Sequence, residues 1–174
     1  AIFGPHDQVL IPRLARVLQE RGGKLPLPNG GAATIDVTYV DNVVHAMWLA
    51  TVHKTIASGA AFNITNGEPA RLCDILRTLF CDHLQQPFEI VSVPYRVLAV
   101  VARLMQFASR FTRREPSLTP YSIGALSFDM TLDNAKARKV LGYRPIVSLQ
   151  EGIVCTAQWL RQEAAAHRVA KERN

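Results

Sequence analysis

The sequence predicts an α/β fold, and three features carry that prediction. Between residues 35 and 93, β-rich runs alternate with helical periodicity: Ile35 to Val40, Ala60 to Thr65 and Phe88 to Val93 are separated by two helical stretches. Alternation of this kind favours parallel pairing through crossovers. Leu141-Gly-Tyr-Arg-Pro145 reads as a helix stop and a turn, because glycine suits the left-handed residue past a helix end. Ser148-Leu-Gln-Glu151 is a capping box, with the Ser side chain taking the Glu amide proton and the Glu carboxylate reaching back to the Ser amide.

Taken in order, Leu10, Ile11, Leu14, Val17 and Leu18 give the helical spacing over Leu10 to Arg21, with Pro12 in the first turn and Gly22-Gly23 as the stop. Lys24 to Pro28 is extended because each proline restricts its predecessor, and Asn29-Gly-Gly31 is a turn. Asp41 or Asn42 is expected to cap the helix that follows residue 40, whose inward face is Val43, Met47, Leu49 and Ala50. Asn66-Gly67 stops the second strand. Glu68-Pro69 then opens an amphipathic helix with Leu72, Ile75, Leu76, Leu79 and Phe80 inward. Pro94 to Phe111 is the most apolar helix, interrupted by Arg96, Arg103 and Arg110, and is too short and charged to span a bilayer. Leu118 to Phe128 is weakly patterned. Thr131 or Asp133 begins a helix that runs through Val140, and the last helix buries Ile153, Val154, Ala157 and Leu160.

A chain of 174 residues with 48% hydrophobic content can bury one sizeable core. Cys73, Cys81 and Cys155 are widely spaced and odd in number, which predicts reduced thiols in a cytoplasmic protein and neither a disulfide framework nor a metal site. Cys73 and Cys81 fit the apolar helical pattern as small core residues. The net charge is +6, but the basic residues are dispersed apart from Arg110, Arg113, Arg114 and the tail. No aromatic interleaving accompanies them, so nucleic acid is not expected; a solvated surface, an anionic cofactor or a membrane face fits better. The opening Ala1-Ile-Phe-Gly-Pro-His-Asp7 lacks the basic and apolar regions of a signal peptide. It runs from apolar residues straight into a Gly-Pro turn, as a strand end inside a longer chain would.

Asp36-Val-Thr-Tyr-Val-Asp-Asn-Val-Val-His-Ala46, Leu141-Gly-Tyr-Arg-Pro145 and Ile2-Phe-Gly-Pro-His-Asp7 together resemble the C-terminal half of an extended short-chain dehydrogenase/reductase. The resemblance covers nearly the whole chain and weakens over 94–126. It implies a single C-terminal substrate-binding portion over 1–174, with a few parallel strands and several helices. The dinucleotide-binding Rossmann part would lie outside this chain, and NAD or NADP would be the cofactor of the intact protein. It also implies that Ile2, Phe3 and Pro5 pack on the cofactor. Gly4, His6, Leu10, Ile11, Leu14 and Val37 would line the substrate pocket, mostly by shape and apolar contact. Tyr39 reads as a core tyrosine and His45 as a partly buried structural histidine.

Two departures narrow the resemblance. Nucleotide-sugar epimerases of this superfamily carry an arginine just before the acidic residue of the strand, where this chain has Ile35. They place another ahead of the helix ending in L-G-Y-x-P, where this chain reads Leu118-Thr-Pro-Tyr-Ser-Ile-Gly-Ala-Leu-Ser-Phe128. A diphosphate needs forked donors that only arginine supplies well. The chain therefore resembles the 3β-hydroxysteroid dehydrogenase-like branch, which implies a hydrophobic, steroid-like or long-chain β-keto acid-like substrate. That branch often carries an apolar, membrane-leaning segment where this helix falls. Peripheral membrane contact through 94–111, with Leu98, Val101, Met105 and Phe107 toward acyl chains, is one reading; a lid helix over the pocket is another. A homodimer is left open.

No catalytic residue is expected here. The superfamily's chemistry uses a Tyr with a Lys four positions on, and the residues four past Tyr39, Tyr95, Tyr121 and Tyr143 are Val43, Ala99, Ala125 and Val147. No glycine-rich phosphate loop follows a strand. The expected function is the substrate-binding part of an NAD(P)-dependent oxidoreductase acting on a secondary alcohol or ketone, inactive alone. The alternatives are the corresponding part of a nucleotide-sugar epimerase or dehydratase, and a non-catalytic module that binds a partner or a membrane.

Overall fold

In the computed structural model, residues 1–7, 10–112 and 119–172 are described. Strand β1 (Ile2–Phe3) leads into helix α1 (Leu10–Glu20), whose Ile11 amide donates to Asp7 Oδ2 at 3.1 Å. Strand β2 (Lys24–Pro28) pairs in parallel with the much later β6 (Glu89–Val93), in register Lys24 with Glu89 through Pro28 with Val93. Leu25 and Leu27 turn their side chains into the core on alternate positions.

The strand expected over 35–40 is two strands. Strand β3 (Thr34–Ile35) pairs antiparallel with β5 (Ala70–Arg71), and Ile35 also bridges to Met130. Strand β4 (Thr38–Tyr39) pairs in parallel with β1. The chain changes partners at Asp36-Val37: the Asp36 amide donates to Met130 O and the Thr38 amide to Ala1 O.

Helix α2 (Val40–Val52) follows without a side-chain cap, so neither Asp41 nor Asn42 caps it. Asn42 is fully buried and ties distant segments instead. Its Nδ2 donates to Asn66 Oδ1 (2.8 Å) and Val147 O (2.7 Å), and its Oδ1 accepts from the Ile146 and Val147 amides at 2.8 and 3.0 Å. All four hydrogen-bonding positions of the amide are used. Asn66 also accepts from the Tyr39 amide and donates to Val147 O. Of the face expected inward, Met47 is 65% exposed; Ala46 is the buried residue on that helix beside Asn42.

Residues 60–65 form no strand. Three of their carbonyls are met by side chains, which are thereby lost to a ladder. Lys136 Nζ donates to Ala61 O, Thr38 Oγ1 to Ile64 O and Tyr143 OH to Thr65 O. Helix α3 begins later than expected, at Leu72–Arg77, and runs on as a π-helical turn over Thr78–His83 that buries Leu79 and Phe80. Cys73 and Cys81 are half-buried.

Helix α4 (Tyr95–Thr112) packs on α5 (Pro120–Ser127), which the sequence left unassigned. Helix α5 is opened by its own capping box between Thr119 and Ser122. Helix α6 (Ala135–Leu141) starts past the expected residues and ends at Gly142, with φ 66°. Helix α7 (Leu149–Glu172) begins at the expected box. The Glu151 amide donates to Ser148 Oγ and the Ser148 amide to Glu151 Oε2, and the Ser148 hydrogen bonds lower the Glu151 pKa. Glu68, expected to open α3, accepts from the Leu149 amide at 3.0 Å.

Replacing Asn42 with alanine strands the Ile146 and Val147 amides, and we expect a loss of about 3 kcal/mol in urea unfolding. Asn42→Asp sets a carboxylate against two acceptors, which raises its pKa in the fold. That variant should be most stable below about pH 4 and lose stability as pH rises, unlike Asn42→Ala. Parallel pH profiles for the two variants would contradict the assignment.

Candidate functional site

Strands β1 and β4 run side by side and end together, and ligands of doubly wound sheets sit at such carboxyl ends. The loop after β1 is Gly4-Pro5-His6-Asp7, closed by an Asp7 amide to Gly4 O contact of 3.4 Å. Gly4 is buried at φ 152°, and a Cβ there would lie 2.6 Å from Val40 Cγ1, so the close approach of loop to α2 requires glycine. His6 adopts φ 65° and sets its exposed ring 5.5 Å from that of Trp159 on α7.

Helix α7 supplies the wall that the sequence did not reveal. The Tyr39 ring meets that of Phe3 edge-on at 5.6 Å, and both lean on Gly152, where a Cβ would fall 2.7 Å from Tyr39 Cδ2 and 3.0 Å from Phe3 Cζ. Burial pushes the Tyr39 pKa up to about 12, and the neighbouring Cys155 and Asp41 side chains add to the rise. The Trp159 indole Nε1 is buried with no partner among the described residues. An isolated glycine inside a helical pattern signals a close approach, so Gly152 was the available clue.

The structure brings only part of the expected set together at this edge. Ile2 is 56% exposed and Pro5 half-buried, whereas Phe3 is turned inward against Tyr39. Ile2 and Pro5 thus leave an apolar edge, and the described residues offer no phosphate cradle. A dinucleotide does not fit them alone. Ile11 and Val37 sit in the main core with Leu14 packed against it, and the side chain of Leu10 lies outside the described residues. His45 is half-buried, its ring 6.3 Å from that of Tyr143. Among the described residues no group of three or more His, Cys, Asp or Glu could hold a metal ion.

A second feature lies where β3 meets the segment after α5. Ile35 bridges to Met130, and the Thr34 amide donates to Asp129 Oδ1 at 2.7 Å. Ile35, one place where the sequence lacks an expected arginine, therefore neighbours the residues directly after the 118–128 stretch. Leu126 and Ile35 both pack on the main core. An open hollow of about 340 Å³ lies alongside; among the described residues it is lined by Tyr121, Gly124, Ala125, Phe128, Asp129 and Met130, none of them basic. A larger hollow of about 560 Å³ is lined by Arg138, Gly142, Tyr143, Arg144 and Pro145.

Residues 1–91 match the model of the 3-beta hydroxysteroid dehydrogenase/isomerase family. The chain is 47% identical to the uncharacterised protein YbjS of Escherichia coli, over 92% of this chain and 48% of that protein. It is 35% identical to 3beta-hydroxysteroid-dehydrogenase/decarboxylase isoform 1 of Arabidopsis thaliana, over 88% of this chain and 37% of that protein. The chain thus spans half or less of the length of these curated relatives. Its fold matches the crystal structure of UDP-glucuronic acid 4-epimerase from Bacillus cereus in complex with NAD. The TM-score is 0.63 at 19% identity, over 93% of this chain and 41% of that one. The fold is that of the Rossmann-type extended short-chain dehydrogenases.

Two outcomes follow from this packing. Gly152→Ala would gain about 1 kcal/mol of helix propensity on an open helix, but overpacking against Tyr39 and Phe3 should turn that into a net loss of about 1–3 kcal/mol by thermal unfolding. A stabilised variant would contradict the geometry. In a spectrophotometric titration Tyr39 should ionise near 12 and Tyr143, also raised by burial, above its ordinary 10.0. Raised phenols hold their contribution below the ordinary value and lose it on the way up, so stability should fall between pH 10.0 and about 12.

Proposed function

The chain belongs to the 3-beta hydroxysteroid dehydrogenase/isomerase family, and on that premise we propose that it is the substrate-binding part of an NAD(P)-dependent oxidoreductase. The intact enzyme would interconvert a secondary alcohol and a ketone on a hydrophobic, steroid-like or long-chain β-keto acid-like substrate. The observation that carries this reading is the junction of Ile35 with Met130 beside the hollow lined by Phe128 and Tyr121. A diphosphate held there would meet an isoleucine, a methionine, aromatic rings and the carboxylate of Asp129. Burying a charge without a partner costs several kcal/mol, whereas apolar rings and chains gain about 25 cal/mol for each Å² they cover.

The name of the Arabidopsis relative, a 3beta-hydroxysteroid-dehydrogenase, supports the substrate class. The NAD in the Bacillus cereus structure supports the cofactor class. In this reading the reacting groups and the phosphate cradle belong to the part of the enzyme outside this chain. The residues here orient the substrate and exclude water. Ile2 and Pro5 face the cofactor edge, Gly4 and His6 the substrate, and Ile11, Leu14 and Val37 shape the wall from behind. The reading takes 1–174 as one substrate-binding portion.

A second reading rests on a specific feature. Arg138 and Arg144 line the larger hollow, and a nucleotide-sugar enzyme whose phosphate grip had moved would use such a pair.

Kinetics of the full-length enzyme decide between them. A 3-hydroxysteroid or a long-chain β-hydroxy acid should be oxidised with NAD or NADP, and UDP-sugars should be left unchanged. Ile35→Arg, which sets a long charged side chain in the largely apolar junction beside Asp129, should lower kcat/KM for the hydrophobic substrate about tenfold or more. The 174-residue chain alone should show no turnover. UDP-sugar conversion lost on Arg138→Gln would overturn the first reading, and turnover by the isolated chain would refute its division of labour.

A further inference from the structure

The loop after β1 is held at three points, each by a different helix. Gly4 lies so close to Val40 at the start of α2 that a Cβ would fall 2.6 Å from Val40 Cγ1. Asp7 accepts from the Ile11 amide of α1 at 3.1 Å. His6 sets its ring 5.5 Å from that of Trp159 on α7, tilted by 55°. Its backbone sits at φ 65°, a left-handed conformation that a residue with a Cβ adopts at a cost. Such residues persist where their surroundings hold them, and they gather at sites that work on a ligand. Helix α7 offers the holding surface in register. Gly152, Thr156 and Trp159 stand at i, i+4 and i+7, so they share one face. Gly152 receives Tyr39 and Phe3, Thr156 is fully buried with its hydroxyl turned back to Gly152 O at 2.7 Å, and Trp159 meets His6. One helix face therefore fixes both strand β1 and the loop beyond it. Trp159 Nε1 donates to nothing among the described residues, so the indole serves here by its ring.

We propose that Trp159 is a positioning residue for the reaction: by holding the His6 ring it keeps the Gly4–Asp7 loop in its left-handed bend at the carboxyl end of β1. This role rests on the reading above, in which Gly4 and His6 face the substrate. Within the loop Pro5 has its φ fixed by its own ring, while Gly4 and Asp7 are tied to α2 and α1. His6 is left as the hinge, and Trp159 sets it. Trp159 acts through His6, so its effect falls on turnover. In the same reading the bulk of a hydrophobic substrate is held by the hollow beside Ile35 and Met130, which shares no residue with this loop. Loosening the loop leaves that grip in place and lets the reacting end move. Small displacements there cost rate more than affinity.

Steady-state kinetics of the full-length enzyme, joined to amide hydrogen exchange read by mass spectrometry, test this role. His6→Asn keeps a residue that tolerates positive φ and removes the ring, whereas Trp159→Ala removes its partner. Each should lower kcat for a 3-hydroxysteroid or a long-chain β-hydroxy acid about tenfold, with KM kept within about twofold. The double variant should lose no more than either single one, because both changes break one contact. Trp159→Phe keeps a ring and should recover most of the rate. Amides of residues 4–7 should exchange faster in His6→Asn and Trp159→Ala and at the wild-type rate in Trp159→Phe, while α7 is unchanged in His6→Asn. A tryptophan that only supports the fold would lower the melting temperature in Trp159→Ala and leave His6→Asn at the wild-type kcat. That result would overturn the proposal, as would additive losses in the double variant or exchange at 4–7 that no variant alters. If the wild type oxidises neither alcohol, the substrate reading fails and this role falls with it; wild-type turnover that His6→Asn leaves untouched fails this role alone.

Discussion

The structure depends on one buried amide pair. Asn42 and Asn66 join three stretches far apart in sequence: the end of β4 with the start of α2, the turn at 65–67, and the 146–147 segment that launches α7. Their hydrogen bonds satisfy each other and the main chain, so the cost of dehydrating them is met inside the network. Because 147 is fixed to Asn42, the Ser148 box starts α7 where Gly152 can receive Tyr39 and Phe3. That contact in turn holds β1 beside β4 and sets the Gly4–Asp7 loop at the sheet's carboxyl edge. A polar cluster at the centre of an otherwise apolar core thus fixes which helix forms the wall of the candidate site.

The second constraint is chemical. Strand β3 and the segment after α5 meet through Ile35 and Met130, with Leu126 packed on the same core. Ile35 stands where the resemblance to nucleotide-sugar enzymes would call for an arginine, and Met130 directly follows the second such stretch, 118–128. A surface of this composition recognises by shape and exclusion of water, with few charged contacts.

Elements whose determinants are local were legible in the sequence. The capping box at Ser148 and Glu151, the Gly142 stop, α1 with its Gly22-Gly23 end, and α4 all depend on residues within a turn or two of each other. What escaped was decided at long range. Nothing near residue 36 tells that its amide will find Met130, so β3 and β4 read as one strand. Nothing near residues 61–65 shows that Lys136, Thr38 and Tyr143 will take the carbonyls of Ala61, Ile64 and Thr65. Asn42 has the residue type and position of a helix cap, and only the folded chain shows its amide spent elsewhere. The Gly4-Pro5 turn was legible from its residues, but the packing of Phe3 on Tyr39 and Gly152 was not, because those partners come from two other elements.

Calorimetric titration of the full-length protein over a range of temperatures tests the central claim most directly. A steroid-like or long-chain ligand should bind with a clearly negative heat-capacity change, the mark of apolar burial, and UDP should give no saturable heat. Saturable UDP binding that Ile35→Arg strengthens, together with no response to the hydrophobic ligand, would contradict the account.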